Sequence, residues 1–193
     1  LSPKAILRQR TLGEVASRND DHEAAQSAYR RAVSLGKESV YRAPGDFANL
    51  ARSQSKGGAS PLEVGKTLNN MRQEFKGDDQ ATLEAALAES AVYHDMGRED
   101  QAREAFEEAA GLYERQGEEA STGVALEMAK ATLALGDPEK GKVMMEQIVR
   151  NNHDNEEFLE DAQRVFDQVG MAEEGQRTIL DSKEEVKKEN NAG

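Results

Sequence analysis

Three histidines, a glycine-lysine motif and a lack of cysteine set the chemistry that this sequence could support. The segment VGKT at 64–67 matches the end of a phosphate-binding loop, but Ser60 stands where that loop needs a glycine and no apolar strand precedes it. His22, His94 and His153 lie far apart, and none has a second His or Cys at metal-site spacing. Because no nucleophile pairs with a base, we predict a non-enzymatic chain with no catalytic, metal or cofactor-binding residues and no cofactor.

Paired acidic residues recur along the chain, and Asp78-Asp79 and Glu156-Glu157 are two examples. None of the pairs has the ligand alternation of a calcium loop. The two examples precede predicted helices, where negative charge meets the positive end of the helix dipole. We therefore interpret them as helix starts rather than as acid–base catalysts.

The charge is unevenly distributed. The 193 residues carry 25 Lys and Arg against 37 Asp and Glu, a net charge of −12, yet residues 1–56 hold ten basic and six acidic residues. An acidic surface repels phosphates, so we predict no nucleic-acid partner. The apolar runs are too short to span a membrane, and the lack of cysteine is typical of the cytoplasm, where we expect the protein.

We predict that helices position the residues considered above, because short side chains recur at a fixed spacing along the chain. The recurring positions lie 39, 38 and 39 residues apart, at Ala25, Val64, Ala102 and Gly141. Four residues after each comes a larger side chain, namely Tyr29, Leu68, Phe106 and Met145. Each repeat has two helical apolar patterns around a turn, which predicts a helical hairpin. The short residue lets the two helices cross closely, and the larger one fills the gap between hairpins.

This spacing resembles the tetratricopeptide repeat, and the match is best where Leu12, Gly13, Ala25, Tyr29 and Ala32 all fit its pattern. The resemblance implies an all-α, right-handed solenoid of four to five helical hairpins with a C-terminal capping helix. We expect a single domain over 1–193. Its units are predicted at about 6–39, 44–77, 83–116 and 122–155, followed by a C-terminal hairpin or cap at 156–193.

The resemblance also implies a protein-binding role, because in this family the first helices of successive hairpins line a concave groove. Applied position by position, it gives the candidate groove residues Arg10, Glu14, Arg18, Arg52, Lys56, His94, Asp95, Leu126, Lys130 and Leu133. The basic members favour an acidic protein or peptide as partner. The alternative that they are ordinary solubilising charges stays open. Glu14 and Arg52 occupy positions where some relatives place the asparagines of a carboxylate clamp, so we do not expect that clamp.

A second resemblance concerns both ends of the chain. Residues 1–40 and 165–193 are similar to the repeat segments that follow the receiver domain in certain bacterial two-component response regulators. This implies a scaffold or output region in signal transduction, with a receiver domain preceding Leu1 in a longer protein. The alternative is a self-associating structural scaffold, a homodimer formed through exposed faces of the solenoid.

Overall fold

The computed structural model describes residues 3–37, 39–116 and 120–192, and all regular structure in these ranges is helical. The helices follow one another as α1 (Pro3–Arg18), α2 (His22–Gly36), α3 (Pro44–Lys56), α4 (Pro61–Glu74), α5 (Asp79–Asp95), α6 (Glu99–Gln116), α7 (Thr122–Leu135), α8 (Pro138–Asn151), α9 (Glu156–Gln168) and α10 (Ala172–Ala192). Helices adjacent in the chain pack together as α1 with α2, α3 with α4, α7 with α8 and α9 with α10, whereas the bounds predicted for the units stay a prediction. The all-α, helical-hairpin fold class is therefore confirmed.

Short polar side chains begin most of these helices. The N-cap residues whose side chains accept a backbone N–H bond are Asp21, Ser60, Asp78, Ser121, Asp137 and Asn155. Each satisfies a donor that the first helical turn leaves without a partner. Asp78 thus starts α5, and Glu156 and Glu157 lie in the first turn of α9, as the sequence predicts.

The chain divides into two compact units, residues 1–112 and 113–193. In unit 1, α3, α4 and α5 share a core in which Val64, Leu68 and Met71 are fully buried. Phe47 and Phe75 meet edge to face there, with ring centroids 6.0 Å apart. The prediction that the two units form one domain stays a prediction.

The first hairpin depends on one close approach between its helices. Tyr29 of α2 lies directly over Gly13 of α1, and a Cβ atom placed on Gly13 would stand 2.6 Å from the tyrosine ring. The ring is 3% exposed, and it packs with Ala25 of its own helix and Leu50 of α3. Tyr29 therefore fills the gap between the first two hairpins, as predicted.

Unit 2 repeats this arrangement twice. A Cβ atom on Gly141 of α8 would lie 2.7 Å from Leu133 Cγ and 2.8 Å from its backbone nitrogen, in α7. A Cβ atom on Gly175 of α10 would lie 2.6 Å from Phe166 Cβ, in α9. The sequence pattern missed Gly175, which follows Gly141 by 34 residues. Its contact shows that α9 and α10 form a fifth hairpin.

The other predicted gap-filling residues differ in burial. Leu68 and Met145 are fully buried, whereas Phe106 is only partly buried. Ala102, the short residue of the same hairpin, is fully buried as expected. In that hairpin the short residue is thus enclosed more fully than the larger one.

The contact at Gly141 predicts opposite effects for the same substitution at two glycines. Gly141→Ala forces a methyl group against the backbone of α7 and should lower the free energy of unfolding of unit 2 by about 1–3 kcal/mol. Gly65→Ala, inside α4 with no atom within 4 Å of the new methyl, should raise stability by about 0.5–1 kcal/mol because alanine favours helix. Urea unfolding followed by circular dichroism measures both. Equal effects at the two sites would contradict the close crossing.

Candidate functional site

The uncovered side of α3 carries a polar and basic stripe. The α3 residues that are not buried are Gly45, Asn49, Arg52, Ser55 and Lys56. Apart from Ser55, they are spaced four, three and four residues apart, so they share one face of the helix. Asn49 was missed by the sequence analysis, although it lies one turn before Arg52; its Oδ1 is 3.5 Å from Arg52 Nη1.

Charged groups of both α1 and α3 act on the Tyr29 hydroxyl. Burial raises the pKa of this phenol, a hydrogen bond with Ser17 lowers it, and the charges of Glu14, Arg52 and Asp46 act on it as well. The Tyr29 ring that lies over Gly13 thus interacts electrostatically with charged groups of both helices.

Arg10 has a structural role instead of the predicted place in the groove. Its Nε and Nη2 atoms each donate to a carboxylate oxygen of Asp46 at 2.7 Å, and Nη2 also donates to the Tyr41 carbonyl oxygen at 2.7 Å. The Asp46 side chain is 4% exposed, and its hydrogen bond raises the pKa of Arg10. Because Arg10 neutralises a buried carboxylate and joins α1 to α3, it is not available to a partner.

Leu126 and Leu133 also differ from their predicted role. Both lie in the core of unit 2, where they are 7% and 9% exposed and pack within the cluster that holds Met145 and Phe166. Leu133 is the residue on which Gly141 rests. The prediction that these two leucines line an open groove is therefore wrong.

The remaining predicted residues lie at or near the surface. Glu14, Arg18, Lys56, His94 and Asp95 are exposed in unit 1, and Lys130 is half-buried on α7 of unit 2. His94 Nδ1 lies 3.0 Å from Glu99 Oε1, across the turn between α5 and α6.

Unit 1 also has an ionic network that the sequence pattern did not reveal. Arg72 of α4 binds Glu89 of α5 at 2.6 Å and Glu108 of α6 at 2.9 Å. Desolvation lowers the pKa of Arg72, but the two carboxylates outweigh it and leave the pKa raised. These contacts tie three helices together, and their partners are too distant in sequence for a helical spacing rule to pair them.

The segment that resembles the end of a phosphate-binding loop is helical. The VGKT segment lies within α4, where Val64 is buried and Lys66 exposed, so its backbone cannot form a phosphate-binding turn. In the part of the chain that the structure describes, no three His, Cys, Asp or Glu side chains are grouped so as to hold a metal ion. Among the described helices, none combines the length and apolar character needed to cross a membrane.

Comparisons with known proteins agree with this geometry. The tetratricopeptide repeat family model matches residues 11–36 and 83–116, so these two segments are similar to tetratricopeptide repeats. They fall on the first and third hairpins. Proteins with this fold are in general modules for protein–protein interaction. No curated protein sequence matches the chain.

Solved structures show the same fold along the chain. A kinesin light chain-like protein of Podosopora anserina with nearly identical TPR-like repeats is 16% identical, with a TM-score of 0.50 and all of both chains covered. BtubC (BKLC) from P. vanneervenii is also 16% identical, with a TM-score of 0.51, covering 96% of this chain and 81% of the other. At this identity, the similarity establishes a TPR-like fold and nothing about partners.

The ion pair of Arg10 predicts that two arginines of α1 differ in their effect on stability. Arg10→Leu leaves Asp46 charged and buried, and should lower the free energy of unfolding by about 1–3 kcal/mol, less than for a fully buried pair because the Arg10 side chain is 27% exposed. Arg18→Leu, at an exposed position, should change stability by less than about 0.5 kcal/mol. Urea denaturation of both variants tests this. A stability loss of similar size in each would show that Arg10 is an ordinary surface residue and does not stabilise the fold through Asp46.

The environment of Tyr29 predicts an alkaline pH dependence. Because burial raises its pKa, the folded chain favours the neutral phenol, so this contribution to stability is complete below the usual tyrosine pKa of about 10 and is lost as pH rises through the folded pKa. Tyr29→Phe keeps the ring over Gly13 and should reduce the alkaline loss. The difference between the absorbance titrations of wild type and this variant isolates the ionisation of Tyr29. An ionisation in the pH range of a free tyrosine would contradict its burial.

Proposed function

We propose that this chain is a non-catalytic protein-interaction module that binds an acidic segment of a partner protein on unit 1. The α1 and α3 side chains Glu14, Arg52 and Lys56 form the proposed contact surface. The observation that carries the proposal is the stripe of Asn49, Arg52 and Lys56 along the uncovered side of α3, in a fold that generally serves protein interaction. Arg18, exposed near the end of α1, adds a further positive charge.

The stripe suits recognition of carboxylates by two different donors. Arg52 presents a planar fork that matches a carboxylate, and its contact with Asn49 Oδ1 restricts its orientation. Lys56 lies about one helical turn away, roughly 6 Å along the axis, as an exposed and mobile point charge. The carboxylate of Glu14 on α1 can accept hydrogen bonds from the partner. This favours a partner segment in which acidic side chains alternate with hydrogen-bond donors.

The net charge of the chain affects this binding less than the local contacts do. At physiological salt, charges are screened over about 8 Å, so most of the acidic surface has little influence on a segment in contact with Arg52 and Lys56. We expect the affinity to fall as salt concentration rises, because the contacts themselves are ionic.

We further propose that the partner belongs to a bacterial, cytoplasmic two-component pathway and that the chain is the scaffold or output region of a response regulator. The support for this is the resemblance of residues 1–40 and 165–193 to repeat segments that follow a receiver domain. The coding sequence upstream of Leu1 tests it. An acidic pair and a phosphoacceptor aspartate on a strand-rich domain are the expected result, and an unrelated domain in that place would remove the signalling assignment.

Charge reversal tests the binding surface directly. Arg52→Glu/Lys56→Glu should weaken binding of acidic partners by about tenfold or more, because it replaces two attractions with two repulsions. The matched control is Lys66→Glu/Lys76→Glu, which makes the same change of charge at two exposed lysines outside the stripe. Affinity capture with each immobilised variant, followed by calorimetric titration of the captured protein, gives the ratio.

Lys130→Glu extends this experiment to unit 2, where Lys130 was predicted to contribute to the same groove. Circular dichroism must show equal helicity for all variants. Retention of the same partners at unchanged affinity by the Arg52/Lys56 variant would reject the α3 stripe as the binding surface.

A further inference from the structure

The contact between α4 and α5 differs from its counterpart between α2 and α3. The repeat spacing places Arg72 of α4 at the position that Val33 has in α2. It places Glu89 of α5 at the position that Leu50 has in α3. Val33 packs against the apolar cluster that contains Leu50. Arg72 instead donates from Nε and Nη2 to Oε2 of Glu89, at 2.8 and 2.6 Å, so an ion pair replaces an apolar contact.

Arg72 also reaches α6, so one guanidinium group joins three helices. Its Nη1 and Nη2 atoms donate to the two carboxylate oxygens of Glu108 at 3.0 and 2.9 Å. The side chains of Arg72 and Glu89 are 21% and 18% exposed, whereas that of Glu108 is 48% exposed. Salt screens exposed charges more than partly buried ones. The contact with Glu108 is therefore the outer, salt-sensitive arm of the network, and the contact with Glu89 is the inner arm.

The contact between α5 and α3 is apolar and is made by short side chains. In the core of unit 1, α5 contributes Ala81, Ala85, Ala88 and Val92. These residues pack against α3, whose Ala51 is fully buried. Apolar attraction is not directional, whereas hydrogen bonds require a defined distance and angle. The α3–α5 contact can therefore slide slightly without opening, but the contacts of Arg72 cannot.

The connection between α4 and α5 is short and contains a glycine in the left-handed region. It spans residues 75–78, and Gly77 has a φ of +90°. A Cβ atom on Gly77 would have no neighbour within 4 Å, so no packing holds this residue in place. A few loop residues of this kind can absorb the change of dihedral angles when packed helices turn relative to one another.

We propose that Arg72 is the latch of a hinge within unit 1, and that Gly77 and the α3–α5 contact form the hinge. With both arms closed, Arg72 fixes α5 and α6 against α4. When Arg72 is released, α5 and α6 turn away from α4 while the α3–α5 core stays packed. Because the outer arm is exposed, a rising salt concentration favours the open form. This inference goes beyond the proposed function, because Arg72 lies outside the α3 stripe.

Distances between pairs of spin labels test the latch. The sequence contains no cysteine, so two introduced cysteines carry the only labels. Asn69→Cys on α4 and Gln101→Cys on α6 are exposed positions on the two helices that the outer arm joins. Ser27→Cys on α2, also exposed, forms the matched control pair with Asn69→Cys.

Double electron–electron resonance should give a narrow distance distribution for the α4–α6 pair in dilute buffer. In about 1 M salt, which screens charges beyond about 3 Å, this distribution should shift to longer distances and broaden. The α2–α4 control pair should stay unchanged, because Val33 of α2 makes an apolar contact where α4 has Arg72.

Two variants that differ only at Glu89 separate the latch from general stability. Arg72→Val leaves Glu89 without its cation and should give the long, broad α4–α6 distribution already in dilute buffer. Arg72→Val/Glu89→Leu copies the apolar pair of α2 and α3 into this junction. It should restore the narrow distribution and make it independent of salt, because an apolar contact is not screened. Circular dichroism must show equal helicity for both variants.

A wild-type α4–α6 distance that does not respond to salt would overturn the proposal, and this measurement needs no substitution in the latch. So would equal distances in wild type and Arg72→Val, or a double variant that stays open. An equal change in the α2–α4 control pair would show general loosening of unit 1 and would also overturn it. The Arg52→Glu/Lys56→Glu variant should keep the wild-type distances, so failure of the binding surface and failure of the latch are distinguishable.

Discussion

The structure depends on one recurring contact, in which a large side chain of one helix rests on the bare backbone of a glycine in its partner. Tyr29 lies on Gly13, Leu133 on Gly141 and Phe166 on Gly175. Dispersion attraction is strong only when atoms are in contact, so the missing Cβ atom lets a whole side chain contribute. The glycine is in the first helix once and in the second helix twice, which shows that the close crossing matters more than the helix that supplies it.

The proposed binding surface lies on α3, the helix whose Leu50 packs against Tyr29. Tyr29 packs over Gly13 and against Leu50, and Arg10 of α1 neutralises Asp46 of α3. These contacts use one arginine of α1 for structure and leave Lys56 of α3 exposed beside the half-buried Arg52. The surface that we propose for a partner is thus the part of the α3 helix that the hairpin packing does not cover.

The all-α, helical-hairpin fold class could be predicted from sequence, since the repeat spacing predicted four hairpins with short residues such as Ala25 and Gly141 at their crossings. The failures have physical reasons. Arg10 was assigned to the groove because a spacing rule cannot show that the buried Asp46, 36 residues later, requires a cation. Leu126 and Leu133 were misassigned because an all-round apolar helix such as α7 gives no clear direction to its faces. The repeat position of Gly175 was missed because the polar sequence of α10 does not show which side of the helix faces its partner.

A double-mutant cycle between Gly13 and Tyr29 tests the central contact most directly. The substitutions are Gly13→Ala and Tyr29→Leu, alone and together, with unfolding free energies measured in urea. The account predicts that Gly13→Ala is destabilising beside tyrosine but nearly neutral beside leucine, with a coupling energy above about 1 kcal/mol. Additive effects, with the alanine costing the same in both backgrounds, would show that the ring and the bare backbone do not determine the helix crossing.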